Sequence, residues 1–421
     1  MIKRKLFEKI KEHVINQKEI TFIVGPRQSG KTTLMLLLKK HIEEKGGRTL
    51  FLNLDIETHK EFVTSQEKLI RKIELEIGKN KGFIFIDEIQ RKENAGLFLK
   101  GIYDLNLPWK FIVSGSGSVD LKEKIKESLA GRKRIFELST ISFDEFVNFK
   151  TNYKYEKKLY DFFAVNTTEG YKLLEEYLNF GGYPRVILED RLNEKLELMN
   201  EIYESYITRD ISYLLKIHKI ESFTNLLKIM ASQIGCIINY SELSKTLGIS
   251  IKTVKDYLWY LEKTFILRKI TPYFKKVKKE IKKAPIYYFY DIGMRNFSLG
   301  NFGYLKEDIG FVFQNFIYNL LREIIPPSYK IYFWRTQDKA EVDFVIDTGN
   351  TLIPVEVKYK KLKEPEIPRS MRSFIEKYKV EKAFIINLTL EQKINLEWTK
   401  IEIVPFYYFY KRKMPILEKN E

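Results

Sequence analysis

The sequence predicts an α/β fold over its first 140 residues, with a parallel sheet connected by crossover helices. The strands are predicted from four short apolar runs, at Ile20–Val24, Thr49–Asp55, Phe83–Asp87 and Lys110–Ser114. The amphipathic stretches that separate them begin near Lys31, Gln66 and Asn94. Strands that alternate with helical patterns in this way are typical of parallel sheets. A helical and winged-helix region and a second, C-terminal α/β domain are predicted to follow.

Length predicts several domains. At roughly 100–200 residues per domain, a chain of 421 residues should contain two to four of them. The segment NFGGYP, residues 179–184, breaks every periodic pattern, so a boundary is predicted beside it. The domains are therefore expected at residues 1–180, 181–300 and 301–421.

The excess of basic residues is concentrated in one part of the chain. Lysine and arginine number 73 against 56 acidic residues, which gives a formal net charge of +17. Residues 241–300 hold 13 basic and 5 acidic residues, so they carry nearly half of that excess. A local excess of this kind favours contact with a polyanion over a role in general solubility.

Several classes of protein are excluded by composition. Cys236 is the only cysteine, so an intrachain disulfide, a cysteine-rich zinc site and a redox pair are all excluded. The N-terminal segment is interrupted by charge and has no apolar signal core. The apolar runs are far shorter than the roughly 20 residues that span a bilayer. We therefore expect a soluble, cytoplasmic protein without a membrane partner.

A nucleotide-binding loop is predicted by the segment GPRQSGKT, residues 25–32, which fits the pattern GxxxxGK[ST]. A strand precedes it and an amphipathic helix follows, as the pattern requires. Backbone N–H groups and the helix N-terminus would face the phosphates of ATP, Lys31 would bridge the outer phosphates, and Thr32 would bind Mg²⁺. An ordinary glycine-containing turn is the alternative. The residues predicted to bind nucleotide are Gly25, Pro26, Arg27, Gln28, Ser29, Gly30, Lys31, Thr32 and Thr33.

Two acids stand at the end of the apolar run Phe83–Asp87: Asp87 is its last residue, and Glu88 directly follows it. Asp87 is expected at the carboxyl edge of the sheet, where it would hold Mg²⁺ through water. Glu88 would orient and deprotonate the attacking water. The pair therefore predicts ATP hydrolysis in addition to binding, whereas a solvated loop is the alternative interpretation.

Further catalytic candidates come from the next apolar run. FIVSGS, residues 111–116, would place Ser114 or Ser116 near the γ-phosphate. Arg132 or Arg134 of the segment GRKR could stabilise the transition-state charge, in cis or in trans, and Arg209 is a third candidate. A role in trans would require a homo-oligomer. A solvated basic loop is the alternative for these arginines.

A winged helix-turn-helix is predicted from residue 240 onward. A short helix capped by Ser241, a turn at Gly248 and a longer helix would be followed by two strands, Phe265–Ile270 and Ile286–Tyr290. These strands flank the basic run KKVKKEIKK, residues 275–283. A protein-binding module with a solvated lysine loop is the alternative. The residues predicted to contact DNA are Lys252, Lys255, Lys275, Lys276, Lys278, Lys279, Lys282 and Lys283.

Near the C-terminus, a hairpin around the turn DTGN is predicted to bring two acids together. With a two-residue loop, Asp343 faces Glu356. Opposed carboxylates repel, so a divalent metal is the expected partner, and Lys358 on the same face could stabilise a phosphate. The spacing D-x(12)-E-x-K resembles that of PD-(D/E)xK nucleases. An ordinary cross-strand ion pair between Glu341 and Lys358 is the alternative.

The motifs together resemble a prokaryotic family of AAA-type ATPases, usually described simply as ATP-binding proteins. The resemblance rests on GPRQSGKTTL, FIDEIQ, the SGS strand, GRKRIFELSTISFDEF, GGYP, YITRDI, the helix-turn-helix and EVDFVI…IPVEVK. It implies a P-loop NTPase domain with ATP and Mg²⁺, and a C-terminal domain that looks like a PD-(D/E)xK nuclease. Such nucleases often carry a further acid on the helix before the hairpin. Here Gln314 takes that place, and an amide is a poorer metal ligand and no base.

The function predicted from sequence is an ATPase whose cycle moves a DNA-binding winged helix and a nuclease-like domain. The alternative is a switch-type signalling NTPase whose C-terminal modules bind protein and cleave nothing.

Overall fold

The computed structural model describes residues 2–116, 129–208, 211, 219–274, 283–304 and 308–411. Its contacts divide the chain into two compact units. The first contains Met1–Ile141, Tyr183–Glu221 and Asp256–Ile266, and the second contains Ser142–Gly182, Ser222–Lys255 and Leu267–Glu421. One boundary thus falls inside the GGYP segment, where the sequence predicts a break. The division into three consecutive domains stays a prediction.

A five-stranded sheet forms the centre of the first unit. Its strands are β1 (Ile20–Gly25), β2 (Thr49–Asn53), β3 (Gly82–Asp87), β4 (Trp109–Ser116) and β5 (Lys133–Glu137). They lie in the order β2-β3-β4-β1-β5, and every neighbouring pair is parallel. The predicted α/β fold with a parallel sheet is therefore confirmed. Since parallel strands end at the same edge, the residues that follow β1, β3 and β4 meet there.

Helices of the first unit precede, connect and follow these strands. They span Leu6–Asn16, Lys31–Glu44, Glu57–Lys60, Gln66–Ile77, Ala95–Asp104, Pro184–Leu188 and Leu192–Ser205, with 3-10 turns at Glu61–Val63 and Ile89–Arg91. Leu34, Leu38 and Ile42 recur every four residues and pack into one buried cluster with Phe85 and Ile112. The helix that follows the phosphate loop is thereby fixed against β3 and β4.

The second unit contains a six-stranded mixed sheet. Its strands are β8 (Lys330–Arg335), β9 (Glu341–Asp347), β10 (Leu352–Val357), β11 (Lys382–Asn387), β12 (Gln392–Leu396) and β13 (Thr399–Pro405). They lie in the order β12-β13-β11-β10-β9-β8, with β10, β11 and β13 parallel and the other neighbouring pairs antiparallel. Two further strands, β6 (Leu267–Ile270) and β7 (Ile286–Phe289), form an antiparallel pair.

Helices of the second unit pack through aromatic side chains. They span Phe143–Lys150, Leu159–Val165, Thr167–Phe180, Tyr240–Leu247, Ile292–Leu299, Ile309–Ile324 and Arg369–Tyr378, with a 3-10 helix at Phe406–Tyr410. Two more helices, Ile220–Ser232 and Ile251–Lys263, have residues in both units. The ring of Phe143 lies 5.7 Å from that of Phe163, 5.1 Å from Phe316 and 6.0 Å from Phe406. These contacts hold the helix that carries Gln314.

The winged helix stays a prediction, and three details of its region differ from what the sequence predicts. Strand β7 ends at Phe289 and not at Tyr290. Asn239, and not Ser241, caps the helix Tyr240–Leu247, because its side chain accepts the N–H groups of Ser241 and Glu242. Strand β6 begins at Leu267, since Phe265 has a φ of +63° in the turn before it.

Among the helices that the structure describes, none has the length and apolar character that a membrane span needs.

Candidate nucleotide-binding site

The phosphate loop joins β1 to the helix Lys31–Glu44 at the carboxyl edge of the sheet. Gly30 has a φ of +94°, a backbone conformation that favours glycine. At Gly25 an added Cβ would lie 2.0 Å from the carbonyl oxygen of Leu138. The two glycines of the pattern are therefore required for separate steric reasons.

Lys31 and Thr32 begin the helix that follows the loop. Lys31 is buried, and its Nζ donates to the carbonyl oxygens of Pro26 at 2.8 Å and Gly25 at 3.2 Å. The ammonium group thus lies on the loop itself. Thr32 Oγ1 donates to Asp87 Oδ2 at 2.6 Å. This hydroxyl and carboxylate are hard oxygen donors that fit Mg²⁺.

Three donors orient the carboxylate of Asp87, which is fully buried at the end of β3. One is the Thr32 hydroxyl, and another is the backbone N–H of Glu88, at 3.1 Å from Oδ1. The third is Ser114 Oγ, which also donates to Oδ1. Since β3 lies between β2 and β4, this serine comes from a directly neighbouring strand. Ser114 therefore contacts Asp87, while Ser116 lies beside Gly25 in the register of β1 and β4.

Glu88 is half-buried, and its backbone is left-handed, with φ +56° and ψ +44°. Its Oε2 accepts a hydrogen bond from Gln90 Nε2, and the same nitrogen donates to Ser116 Oγ at 2.9 Å. The structure thus brings together Asp87, Glu88, Ser114 and Ser116, the residues that the sequence selected at the ends of two separate strands.

A cavity of about 350 Å³ opens beside the loop. Gln28 to Thr33 and Glu88 line one part of it. Apolar side chains line another part, among them Ile2, Leu37, Ile141, Pro184 and Leu188. Cavities of this volume accept small molecules and cofactors, and a mixed apolar and polar lining suits a nucleotide, whose base is apolar on its faces and whose phosphates are charged.

Two arginines that sequence reasoning missed also line this cavity. Arg4 donates to the carbonyl oxygens of Ser29 at 2.9 Å and Ser139 at 2.7 Å. Arg185 donates to Glu201 at 2.7 Å and to Gln28 Oε1 at 3.3 Å. Arg185 directly follows the GGYP segment, which predicts a domain boundary and is one of the motifs of the family resemblance. Neither arginine belongs to a phosphate-binding motif.

Arg132 and Arg134 lie at the other end of the sheet. Strand β5 is parallel to β1, and Arg134 pairs with Thr21, so it is about 13 Å of strand length from the start of the loop at Gly25. Arg132 is paired with Asp104, with Nε and Oδ1 2.7 Å apart. The fold is therefore inconsistent with a role in cis for either arginine. A role in trans stays a prediction, and Arg209 lies outside the described residues.

The C-terminal hairpin has the predicted register, with Asp347 opposite Leu352 and Phe344 opposite Val355. Gln314 Nε2 donates to Asp343 Oδ1 at 2.5 Å, and the N–H of Val357 donates to Asp343 Oδ2 at 2.7 Å. The structure thus brings the predicted acid, the amide before the hairpin and strand β10 together.

Lys358 pairs with Glu356, with Nζ and Oε1 2.6 Å apart, whereas Glu341 pairs with Arg335. The alternative ion pair between Glu341 and Lys358 is therefore not formed. Burial, and then the charge of Glu356, raise the pKa of Asp343 well above its usual value, and burial raises the pKa of Glu356.

Two buried oxygens of this cluster, Glu356 Oε2 and Gln314 Oε1, have no hydrogen-bond partner among the described residues. Carboxylate and amide oxygens are the ligands of hard divalent cations, so the donor set fits one such ion. Among all the residues that the structure describes, no group of three or more His, Cys, Asp and Glu is placed to hold a metal. A cavity of about 360 Å³, lined by Phe311, Gln314, Lys358 and others, opens beside the cluster.

Three of the eight lysines predicted to contact DNA lie among the described residues. Lys252 and Lys255 are exposed on the helix Ile251–Lys263, and Lys255 Nζ lies 5.2 Å from the ring centre of Tyr240. Lys283 is exposed just before β7. The other predicted contacts, Lys275, Lys276, Lys278, Lys279 and Lys282, lie outside the described residues.

Comparison with known families agrees with the fold of the first unit. Residues 17–147 match the family model of an AAA domain, which supports an AAA-type ATPase. Residues 171–304 and 309–409 match two domains of unknown function, DUF8612 and DUF4143.

Individual relatives cover most of the chain. An uncharacterized protein of Methanocaldococcus jannaschii is 26% identical over 404 residues, 92% of this chain and 87% of the relative. One of Mycobacterium tuberculosis is 26% identical over 365 residues, 85% of this chain and 74% of the relative. Among solved structures, a Walker-type ATPase of Pyrococcus abyssi has a TM-score of 0.48 and 12% identity, covering 71% of this chain and 96% of that one.

Proposed function

We propose that this protein binds ATP with Mg²⁺ and hydrolyses it, and that the cycle drives a DNA-binding winged helix and a nuclease-like domain. The observation that carries the ATPase proposal is the 2.6 Å hydrogen bond between Thr32 and Asp87, beside a cavity that both the phosphate loop and Glu88 line. Hydrolysis requires a loop that binds the phosphates, residues that hold Mg²⁺, here Thr32 and Asp87, and a carboxylate that activates water, here Glu88. Steady-state phosphate release by the full chain with Mg²⁺ tests the proposal, and a wild-type protein without turnover would contradict it.

Each residue of the site has a step in this mechanism. The backbone N–H groups of the loop bind the phosphates, and Lys31 moves its ammonium from the carbonyl oxygens of Gly25 and Pro26 onto them. Thr32 and Asp87 would hold Mg²⁺, which supplies neutralising charge when bound. Glu88 accepts the proton of the attacking water.

Arg185 is expected to contribute to nucleotide binding, because it lines the cavity and contacts Gln28 of the loop. Replacing Arg185 by alanine should weaken ATP binding by roughly tenfold or more, the cost of losing a charged hydrogen bond. Titration with a fluorescent ATP analogue measures this. Arg191→Ala is the matched control, since that arginine is exposed, pairs with Glu189 and does not line the cavity. Equal affinities for the two variants would contradict the role.

Coupling to nucleic acid is supported by charge. Lys252 and Lys255 are exposed on one helix, and residues 241–300 carry a charge of +8. Under the alternative, a switch-type signalling NTPase, the same modules bind protein and DNA binding is absent. Replacing the six lysines of residues 275–283 by alanine separates the two.

A second candidate site is the acidic cluster of the hairpin, favoured by the two unpartnered buried oxygens described above. Asp343 and Glu356 would hold a divalent cation, and Lys358 would contact a phosphate. Cleavage is tested by incubating the full chain with DNA or RNA and Mg²⁺ or Mn²⁺, with and without ATP. Cleavage that persists in Glu356→Ala would remove the nuclease assignment.

Cation binding at this cluster can be measured without cleavage. Without ATP, Mn²⁺ should raise the unfolding midpoint more in the wild type than in Asp343→Asn, by about 2–4 °C for each kcal/mol of binding free energy. The difference should shrink as the pH falls, because carboxyl groups with raised pKa values are protonated and a proton competes with the cation. Exposed Asp338→Asn is the control, and equal shifts in both variants would exclude the site.

A further inference from the structure

We propose that Gln90 is a positioning residue for ATP hydrolysis, whose side-chain amide holds the carboxylate of Glu88 in place for the attacking water. This inference rests on the ATPase function proposed above. An orienting residue matters because a catalytic base accepts the proton of the attacking water only at hydrogen-bond distance and in the right direction.

The side chain of Gln90 bridges two strand ends. Its Nε2 donates to Glu88 Oε2, after β3, and to Ser116 Oγ at 2.9 Å, at the end of β4. An amide nitrogen has two N–H groups, so these two bonds use both of them. Oε1 of the same amide is buried without a partner among the described residues. The position of this amide is therefore set by the acid and the serine.

The backbone that carries Gln90 is itself fixed. Ile89 is fully buried, and the N–H of Arg91 donates to the carbonyl oxygen of Glu88 at 3.0 Å. The Arg91 side chain is anchored in turn, because its Nε lies 2.8 Å from Asp55 Oδ1. The residues on both sides of Gln90 are therefore anchored, which is the support that an orienting group requires.

The other end of the bridge lies beside the phosphate loop. Ser116 is buried and pairs with Gly25, the first residue of that loop. Gln90 therefore links Glu88 to the part of the sheet that faces the phosphates. The amide bonds to Oε2, so Oε1 of Glu88 would receive the water. A small displacement of such a base can cost up to about 10²-fold in rate.

The test compares Gln90→Met, which keeps the length of the side chain but removes its hydrogen bonds, with wild type. We expect kcat for ATP hydrolysis to fall about 10–100-fold, with ATP affinity changed by less than about twofold. Gln90→Ala is the second variant should methionine distort the turn. Gln66→Met is the control, since Gln66 also donates to a neighbouring group, the carbonyl oxygen of Phe98, but lies outside the site.

A double-mutant cycle separates positioning from general stability. In the Glu88→Gln background, Gln90→Met should lower kcat no further, because there is no longer a base to orient. Additive losses, or a kcat equal to or above that of wild type in Gln90→Met, would overturn the inference while leaving the ATPase function intact. Absence of hydrolysis by the wild type would overturn both.

Discussion

Glu88→Gln is expected to lower kcat for ATP hydrolysis by about 10²–10⁴-fold, the usual contribution of a general base. Glutamine keeps the shape of the side chain but cannot accept the proton of the attacking water. ATP affinity should change by less than about twofold, because Glu88 would act on the water and not on the phosphates. Phosphate release and titration with a fluorescent ATP analogue measure the two quantities separately.

The control for this experiment is Glu93→Gln, which makes the same change of charge at an exposed position five residues further along. It should behave as wild type in both measurements. Equal hydrolysis rates for Glu88→Gln and wild type would remove Glu88 from its proposed role. A parallel loss of ATP affinity would indicate that the substitution had disturbed the loop rather than the chemistry.

Replacing the six lysines of residues 275–283 by alanine should reduce binding to duplex DNA at low salt by about 10³-fold or more, because each lysine would neutralise a phosphate. The slope of log affinity against log salt should become shallower by about 5. Fluorescence anisotropy at several salt concentrations measures both. ATP hydrolysis without DNA is expected to be unchanged.

Six exposed lysines of the first unit provide a variant with the same loss of charge: Lys9, Lys18, Lys45, Lys60, Lys79 and Lys81. That variant should keep most of the affinity for DNA. Salt-insensitive binding, or none, by the wild type would favour the switch-type alternative. Loss of ATP hydrolysis together with DNA binding would mean that the lysine run supports the fold and is not a contact surface.

Features of this protein that depend on neighbouring residues could be predicted from the sequence. The loop of residues 25–32, the helix that begins at Lys31 and the acids at the end of β3 follow from glycine sterics and from apolar periodicity. The hairpin register followed from the two-residue turn, and it brought Asp343 close to Glu356 as expected. Each of these inferences spans fewer than about twenty residues, where backbone geometry leaves few alternatives.

Features that depend on strand order could not be predicted. Arg134 lies directly beside Thr21 of strand β1, yet at the amino end of the sheet, because β5 is an edge strand parallel to β1. Arg134 is a candidate from the sequence because of its charge, and charge carries no information about the edge of the sheet at which a residue lies.

The same limit applies to the residues that sequence reasoning missed. Gln90 contacts Ser116 because β3 and β4 are neighbours, and Arg185 contacts Gln28 across 157 positions of the chain. Local patterns therefore identify which residues can bind phosphate and magnesium, since that chemistry lies in one loop and one strand end. Which side chains orient them depends on long-range packing, because such partners are joined through the sheet and not along the chain.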